Sequence, residues 1–486
     1  MATSEVRGIE LMAQMGNTGY SIVRKQLPFW TLAFVVCSFS LTDENALAAS
    51  KEQKKNKRET MPFTVAENLF DHKDLDRRGL ERAPGTETFT IFAPDKAKRG
   101  EPDARCSNLP FCPGFNHGVR LRPYKDKLIA TRQACPQHED SADGIIVCSE
   151  SDDDGVTWSK PQKIRDAVHA EKSGEVKPSA AAPAIAHPWQ LKSWDGNTYV
   201  QFKNRYFGKG YAFSGPGPRR TEYSVSKDGK TWAKPQFLLD DQGQAIDGYV
   251  HPNYRFENGR LLAVDARLTE GDRIVPAMLY TDDPRGITGW KRAEWQTLPG
   301  GPKNIGRECE SSKFTRAGGA LVVVSRDLGG SYRILATVST DHGESWSPTV
   351  ITDMPDSNSM QCAGNLPDGT AFLVNNPSTA RIETEGFFPN VGWKDKSGRR
   401  ERIPLSVTLS RDGKHFDRAF LLRGGDDLQR IRYPGRHKLS GFSYPGALVH
   451  NGYLYISYAA NKEDAQLTRV PLESLDAAGD STSTQQ

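Results

Sequence analysis

The chain has 486 residues, 37% of them hydrophobic and 26% charged, and carries a formal net charge of +4 at pH 7. This length suits one long all-β domain as well as two or three average domains, and the apolar fraction allows a sizeable core in short strands. Much of the positive charge lies in one run, Lys51–Arg58 (KEQKKNKR). No aromatic residue interleaves it, so it reads as a solvated linker rather than a nucleic-acid arm.

At the N-terminus, Arg24 and Lys25 precede an apolar run, Phe29–Leu41, and then Ala46-Leu47-Ala48, an A-x-A cleavage pattern. The run is short for a membrane span. We expect a signal peptide over residues 1–48, a polar extension over 49–85, the main domain over 86–475 and a flexible tail over 476–486. The product would be secreted or periplasmic, with no stable membrane insertion after cleavage. An uncleaved N-terminal anchor is the alternative. Loss of the leader removes Cys37 and leaves Cys106, Cys112, Cys135, Cys148, Cys309 and Cys362. An even number in an exported chain permits disulfides, and Cys106 with Cys112 can close a small loop. No CxxC occurs and no His/Cys spacing suggests zinc, so neither a metal nor a cofactor is expected.

Thr88–Ala93 (TFTIFA) reads as a strand. From Gly118 onward, short apolar or alternating runs are separated by Asp, Gly, Asn and Lys turns, as in GIIVCSES, RFENGRLLAVDA, GALVVVSR and ALVHNGYLYISYA. One insertion, Ala170–Ala186, is rich in Ala, Pro, Lys and Ser. An acidic-Gly-aromatic turn recurs. It is complete in Ser151–Trp158 (SDDDGVTW) and Ser339–Trp346 (STDHGESW). It is shorter in Ser226–Trp232 and Ser410–Phe416, and expanded from Thr281 to Trp290. The closing aromatics, Trp158, Trp232, Trp290, Trp346 and Phe416, are spaced by 74, 58, 56 and 70 residues. Such recurrence marks a repeat architecture. Asp and Gly make the tight turn and the aromatic ring plugs the gap between strands, so these residues are scaffold. Five turns and a last strand pair near Ala447–Tyr458 predict an all-β, six-bladed β-propeller, closed by an N-terminal strand such as Thr88–Ala93. Seven blades are the alternative.

These turns, with a Glu and spaced Arg residues on the strands between them, resemble the sialidase (neuraminidase) superfamily over about residues 111–475. In ESSKFTRAGGALVVVSR, Glu310 and Arg326 match the family's Glu and a carboxylate-binding Arg in pattern and spacing. Arg402, leading RIPLSVTLSRDG, resembles a second clamp Arg, with Arg399 and Arg400 nearby. SGFSYPGALVHNGYLYISYA offers Tyr444 as nucleophile, although Pro445 follows it where the family usually has a small polar residue. Asp140, in TRQACPQHEDSADG beside Glu139, falls at the place of the general acid. The resemblance therefore implies Tyr444 as nucleophile, Glu310 as its base, Asp140 as acid/base, and Arg326 and Arg402 as a clamp.

The chemistry favours these residue types. The anomeric carbon of sialic acid carries a carboxylate, so a neutral Tyr activated by Glu avoids the repulsion a carboxylate nucleophile would meet. Arg binds a carboxylate through two parallel hydrogen bonds, and an Asp can protonate the leaving oxygen. Each residue also has an ordinary structural reading. Glu308 lies two residues from Glu310 on the same strand face, and Arg326 can pair structurally with Asp327 or with Glu310.

The departure lies at the first clamp Arg, which the family carries in Arg-Ile-Pro. NHGVRLRPYKDKL stands there instead. Ungapped counting places Asn116 or His117 at the position, and Arg120 fits only with a shift. Either Arg120 serves, or the clamp is altered and His117 contacts substrate, with another 2-keto sugar acid or a uronic acid as the sugar. His187 and His251 open strands in two other blades and are further sugar-binding candidates, against packing and turn roles. Three functions follow: an exo-acting sialidase-type glycoside hydrolase on acidic-sugar glycoconjugates, a propeller polysaccharide lyase or other glycosidase, and a non-catalytic carbohydrate-binding propeller.

Overall fold

A computed structural model describes residues 61–94, 104–124, 126–139, 141, 143–166, 191–192, 197–207, 217–228, 231–302, 305–378, 402–436 and 438–476. The expected leader and linker, the Ala170–Ala186 insertion, His187 and Asp140 lie outside these residues.

Six antiparallel sheets follow one another along the chain as six propeller blades. Blade 1 holds Phe115–Tyr124, Lys127–Cys135, Ile145–Ser151 and Gln162–Asp166. Blade 2 holds Leu191–Lys192, Tyr199–Tyr206, Arg219–Ser226 and Gln236–Phe237. Blade 3 opens with Gly248–Tyr249 and Tyr254–Arg255, which both pair Leu261–Glu270, and continues with Arg273–Thr281 and Lys291–Arg292. Blade 4 holds Glu308–Thr315, Leu321–Asp327, Arg333–Ser339 and Val350–Pro355, and blade 5 holds Cys362–Asn365, Ala371–Asn375, Leu405–Ser410 and Arg418–Arg423. Blade 6 takes Phe442–His450, Tyr453–Ala460 and Asp464–Pro471 from the C-terminal end and Glu87–Phe92 from the N-terminal end. The expected borrowed strand therefore closes the ring. Antiparallel pairing there joins Phe89 to Leu467.

The core is a set of apolar seams between blades. Val407, Leu409, Leu454 and Ile456 fill the seam of blades 5 and 6. Val322, Val324, Ala371 and Leu373 fill that of blades 4 and 5, joined by Phe63 and Phe70 from the segment before the propeller. Val119, Leu128, Tyr455 and Leu467 join blade 6 to blade 1. The first strands of blades 4, 5, 6 and 1 lie side by side, which makes them the innermost strands. Cys106 and Cys112 form a disulfide ahead of blade 1.

The repeated turns work as scaffold. In the blade 4 turn, Asp341 accepts the Ser345 amide at 3.0 Å and the Ser339 hydroxyl at 2.8 Å. The Trp346 indole donates to the Gly343 carbonyl at 3.3 Å. The blade 1 turn repeats this, with Trp158 donating to Gly155 at 2.9 Å. There the Thr157 hydroxyl and amide hydrogen bonds hold the Asp153 carboxyl down at about 2. Gly343 has a left-handed backbone, φ +85°, and a Cβ there would stand 2.5 Å from Cδ2 of Leu262 in blade 3. Gly318 is also left-handed, φ +94°, with nothing near its missing Cβ.

Gly343→Ala should therefore cost about 1–3 kcal/mol of stability by urea unfolding, from backbone strain and the clash together. Gly318→Ala should cost less, since it meets the strain alone. Equal losses would show that the Leu262 contact is relieved without cost.

Candidate active site

Three innermost strands carry a β-bulge, each with one residue in left-handed backbone. In blade 1 the pairing shifts between His117 and Arg120, with Gly118 at φ +61°. In blade 4 it shifts between Cys309 and Ser312, with Glu310 at φ +52°. In blade 6 it shifts between Ser443 and Gly446, with Tyr444 at φ +59°. A bulge breaks the alternation of faces and re-aims a side chain. Here the three bulges turn His117, Glu310 and Tyr444 towards one another.

The Tyr444 hydroxyl donates to Glu310 Oε1 at 2.6 Å. Arg326 Nη1 donates to Glu310 Oε2 at 2.9 Å and to the Tyr444 oxygen at 3.2 Å. Burial works to raise the Glu310 carboxyl, but Arg326 and the phenol hydrogen bond more than offset it and hold it below the usual carboxylate range. Burial and the adjacent Glu310 push the Tyr444 phenol well above its ordinary value, so it stands as a neutral donor.

Around this pair, the Arg402 guanidinium lies 5.3 Å from the Tyr444 ring centre and donates to the Ser443 hydroxyl at 2.7 Å. The His117 ring packs edge-on against Tyr444, with centroids 4.0 Å apart. Burial drives the His117 imidazole well below its ordinary value, helped by Lys462 and Arg402. Its Nε2 lies 3.4 Å from Glu139, and neither ring nitrogen makes a hydrogen bond. Arg120 is spent on structure: it donates to the Tyr444 carbonyl at 3.2 Å and the Val119 carbonyl at 2.9 Å, and Nη2 meets Met360 Sδ at 3.3 Å.

Six of the seven residues read from the sequence thus come together: His117, Arg120, Glu310, Arg326 and Arg402 gather around Tyr444. The seventh, Asp140, is outside the described residues, but its neighbour Glu139 reaches the same place. The competing readings separate. Glu308 leaves the face of Glu310 because of the bulge, and accepts the Leu298 amide at 2.6 Å. Asp327 pairs with Arg307 at 2.6 Å rather than with Arg326. Asn116, reached by ungapped counting, is fully buried and accepts from Arg132 at 3.0 Å. His251 is exposed.

Two groups escaped the sequence reading. Lys462 donates to Glu139 at 2.8 Å and lies 5.7 Å from the Tyr444 ring. Asp356, fully buried, accepts from Asn375 at 3.2 Å, and burial pushes its carboxyl up to about 7. The signal for Lys462 was faint, a charged residue after Asn461 in a strand-joining turn. Among the described residues no His/Cys/Asp/Glu cluster could hold a metal, and no helix is long and apolar enough to cross a membrane.

The profile of the BNR repeat-like domain family matches residues 126–456. No curated protein matches the chain. Among solved structures, a sialidase superposes with a TM-score of 0.52 at 18% identity, over 84% of this chain and 35% of its own. A protein of unknown function from Dyadobacter fermentans gives 0.51 at 15% identity, over 80% and 99%. Trypanosoma rangeli sialidase gives 0.50 at 14% identity, over 82% and 61%. This chain thus spans about a third of the length of the first of these (35%). At such identities the likeness is one of fold.

Arg326→Met should destabilise the protein by about 1–3 kcal/mol, since it removes a charged hydrogen-bond partner from a largely buried carboxylate. The pH dependence should also change. Glu310 titrates below its unfolded value, so it adds stability above the ordinary carboxylate range and loses it as pH falls through its folded value. That acid-side loss should shrink in the variant, read by thermal melts across the acid range. An unchanged acid limb would show that Arg326 does not hold Glu310 ionised.

Proposed function

The chain belongs to the BNR repeat-like domain family, sialidase-like in fold, and from the site it builds on that scaffold we propose that it is a glycoside hydrolase of the sialidase type. It acts on a terminal acidic sugar of a glycoconjugate and retains configuration at the anomeric carbon. The observation that carries this reading is the 2.6 Å hydrogen bond from Tyr444 to Glu310, with Arg326 on both oxygens. The phenol is neutral, so it approaches an anomeric carbon bearing a carboxylate without repulsion. As Tyr444 attacks, Glu310 takes its proton, and Arg326 offsets the charge that grows on the phenolic oxygen. Arg402 and Arg326 bind the sugar carboxylate, and Arg120 fixes the main chain of Tyr444. Asp140 protonates the leaving oxygen, then deprotonates the water that cleaves the Tyr–glycosyl bond. The substrate reaches the protein outside the cytoplasm.

A fluorogenic sialoside tests this directly. Turnover is expected from the wild type, with Tyr444→Phe reduced on the order of 10³-fold or more and Asp140→Asn about 10²- to 10⁴-fold, each variant still unfolding in a cooperative melt. A folded wild type that turns over no acidic glycoside sinks the reading.

One observation favours a second reading. The neutral His117 beside Tyr444, with no hydrogen bond on either ring nitrogen, is the kind of pair that β-elimination on a uronate would use. A lyase would generate unsaturated-uronate absorbance from acidic polysaccharides, and His117→Ala would abolish it.

A further inference from the structure

We propose that Lys462 is an anion-binding residue of this site, donating together with Arg402 to the carboxylate of the sugar acid. The inference rests on the glycosidase reading above and goes beyond it by naming a lysine in the recognition set.

Asn461 and Lys462 are consecutive non-glycine residues in left-handed backbone, each at φ +55°. Such strain persists only where the surroundings impose it, and it clusters at binding sites. The surroundings are visible here. The Asn461 side chain accepts the Gly441 amide at 3.1 Å, and the Lys462 carbonyl accepts the Asn116 amide at 2.9 Å. The turn thus ties blade 6 to the innermost strand of blade 1 and aims the lysine inward.

Lys462 is only 3% exposed. The groups that face it come from four places. Glu139 lies on the loop after the second strand of blade 1, at 2.8 Å. Phe115 and His117 lie on the innermost strand of that blade, with the Phe115 ring at 5.7 Å. Tyr444 comes from blade 6, and Arg402 from the segment leading into the third strand of blade 5. Glu310 acts from beyond Tyr444. An ammonium has three donors, and Glu139 takes one. Arg402 likewise gives its described hydrogen bond to a neutral hydroxyl, that of Ser443. Two desolvated cations therefore flank the same phenol, and each raises the cost of charging the other. A carboxylate placed over Tyr444 relieves both. Burial, with Arg402 adding to it, lowers Lys462 to about 8, so this half of the clamp can be discharged in mildly alkaline solution. An arginine in its place could not be.

Anion binding favours the protonated lysine, so affinity should hold at neutral pH and fall as pH rises through about 8. His117 titrates well below this window and Tyr444 well above it. Asp356, at about 7, is the nearest other group, and substitutions at Lys462 separate the two.

The test is calorimetric binding of a 2,3-unsaturated sialic acid analogue to the wild type, Lys462→Met and Lys462→Arg from about pH 6 to about pH 9. The wild type should lose affinity across the alkaline half of the range. Lys462→Arg should hold its affinity throughout, and Lys462→Met should bind about tenfold or more weakly at the acid end with no alkaline fall. Equal affinities and equal pH slopes in wild type and Lys462→Met would overturn the proposal and leave the glycosidase reading standing. Absence of wild-type binding at every pH would overturn both.

Discussion

The site depends on left-handed backbone at Glu310 and Tyr444. Neither residue is glycine, and each such placement costs roughly 1–2 kcal/mol against ordinary strand geometry. On a regular strand, Glu310 would share the face of Glu308, which is buried and bonded to the Leu298 amide. The bulge lifts Glu310 off that face. On blade 6 the same device frees Tyr444, and Pro445 sits within the bulge, where its missing N–H withholds nothing from the ladder. Arg120 holds this bulge from the side of blade 1. A Cβ on Gly446 would lie 3.0 Å from Arg120 Nη1, so glycine is what allows the guanidinium to reach the Tyr444 carbonyl.

Electrostatics then divides the work among chemically similar groups. Glu310 and Asp356 are both carboxylates close to Arg326. Glu310 touches the guanidinium and stays ionised despite burial. Asp356 accepts from Asn375 and the Ser359 amide and is driven up to about 7. The arginines divide too. Arg326 is the charge on the Glu310–Tyr444 pair, Arg402 stands over the ring of Tyr444, and Arg120 is engaged by main-chain carbonyls.

The fold was legible because its turns repeat. Ser, Asp, Gly and Trp in STDHGESW make the same hydrogen bonds as in SDDDGVTW, and local bonding of that kind leaves a fixed spelling. Glu310, Arg326 and Tyr444 were legible through the family pattern. The first clamp position resisted, and the bulge at Gly118–Val119 explains why. It adds one residue to the innermost strand against its partner and breaks the alternation of faces there, and in space both His117 and Arg120 lie against Tyr444. Asn116, equally allowed by counting, is taken up by Arg132 and by the Glu463 carbonyl at 2.7 Å. Lys462 was not legible. What makes it part of the site is burial among residues more than 300 positions away, such as Glu139 at 2.8 Å, and no local pattern encodes that.

The site lies at the seam where the propeller closes on itself. Tyr444 is on the innermost strand of blade 6, and the outermost strand of that blade is Glu87–Phe92, from the opposite end of the chain. Between them, the turn bearing Lys462 is anchored by Glu463, which is 1% exposed. Glu463 accepts the amides of Arg432 at 2.9 Å and Tyr433 at 2.6 Å and the Lys438 ammonium at 2.9 Å. A buried carboxylate satisfied this fully is costly to displace. Blade 6 therefore cannot shift its innermost strand without disturbing both the N-terminal strand and this ionic anchor. That coupling keeps a phenol on one blade within 2.6 Å of a carboxylate two blades away, and it makes ring closure a condition for the site's geometry as well as for the stability of the fold.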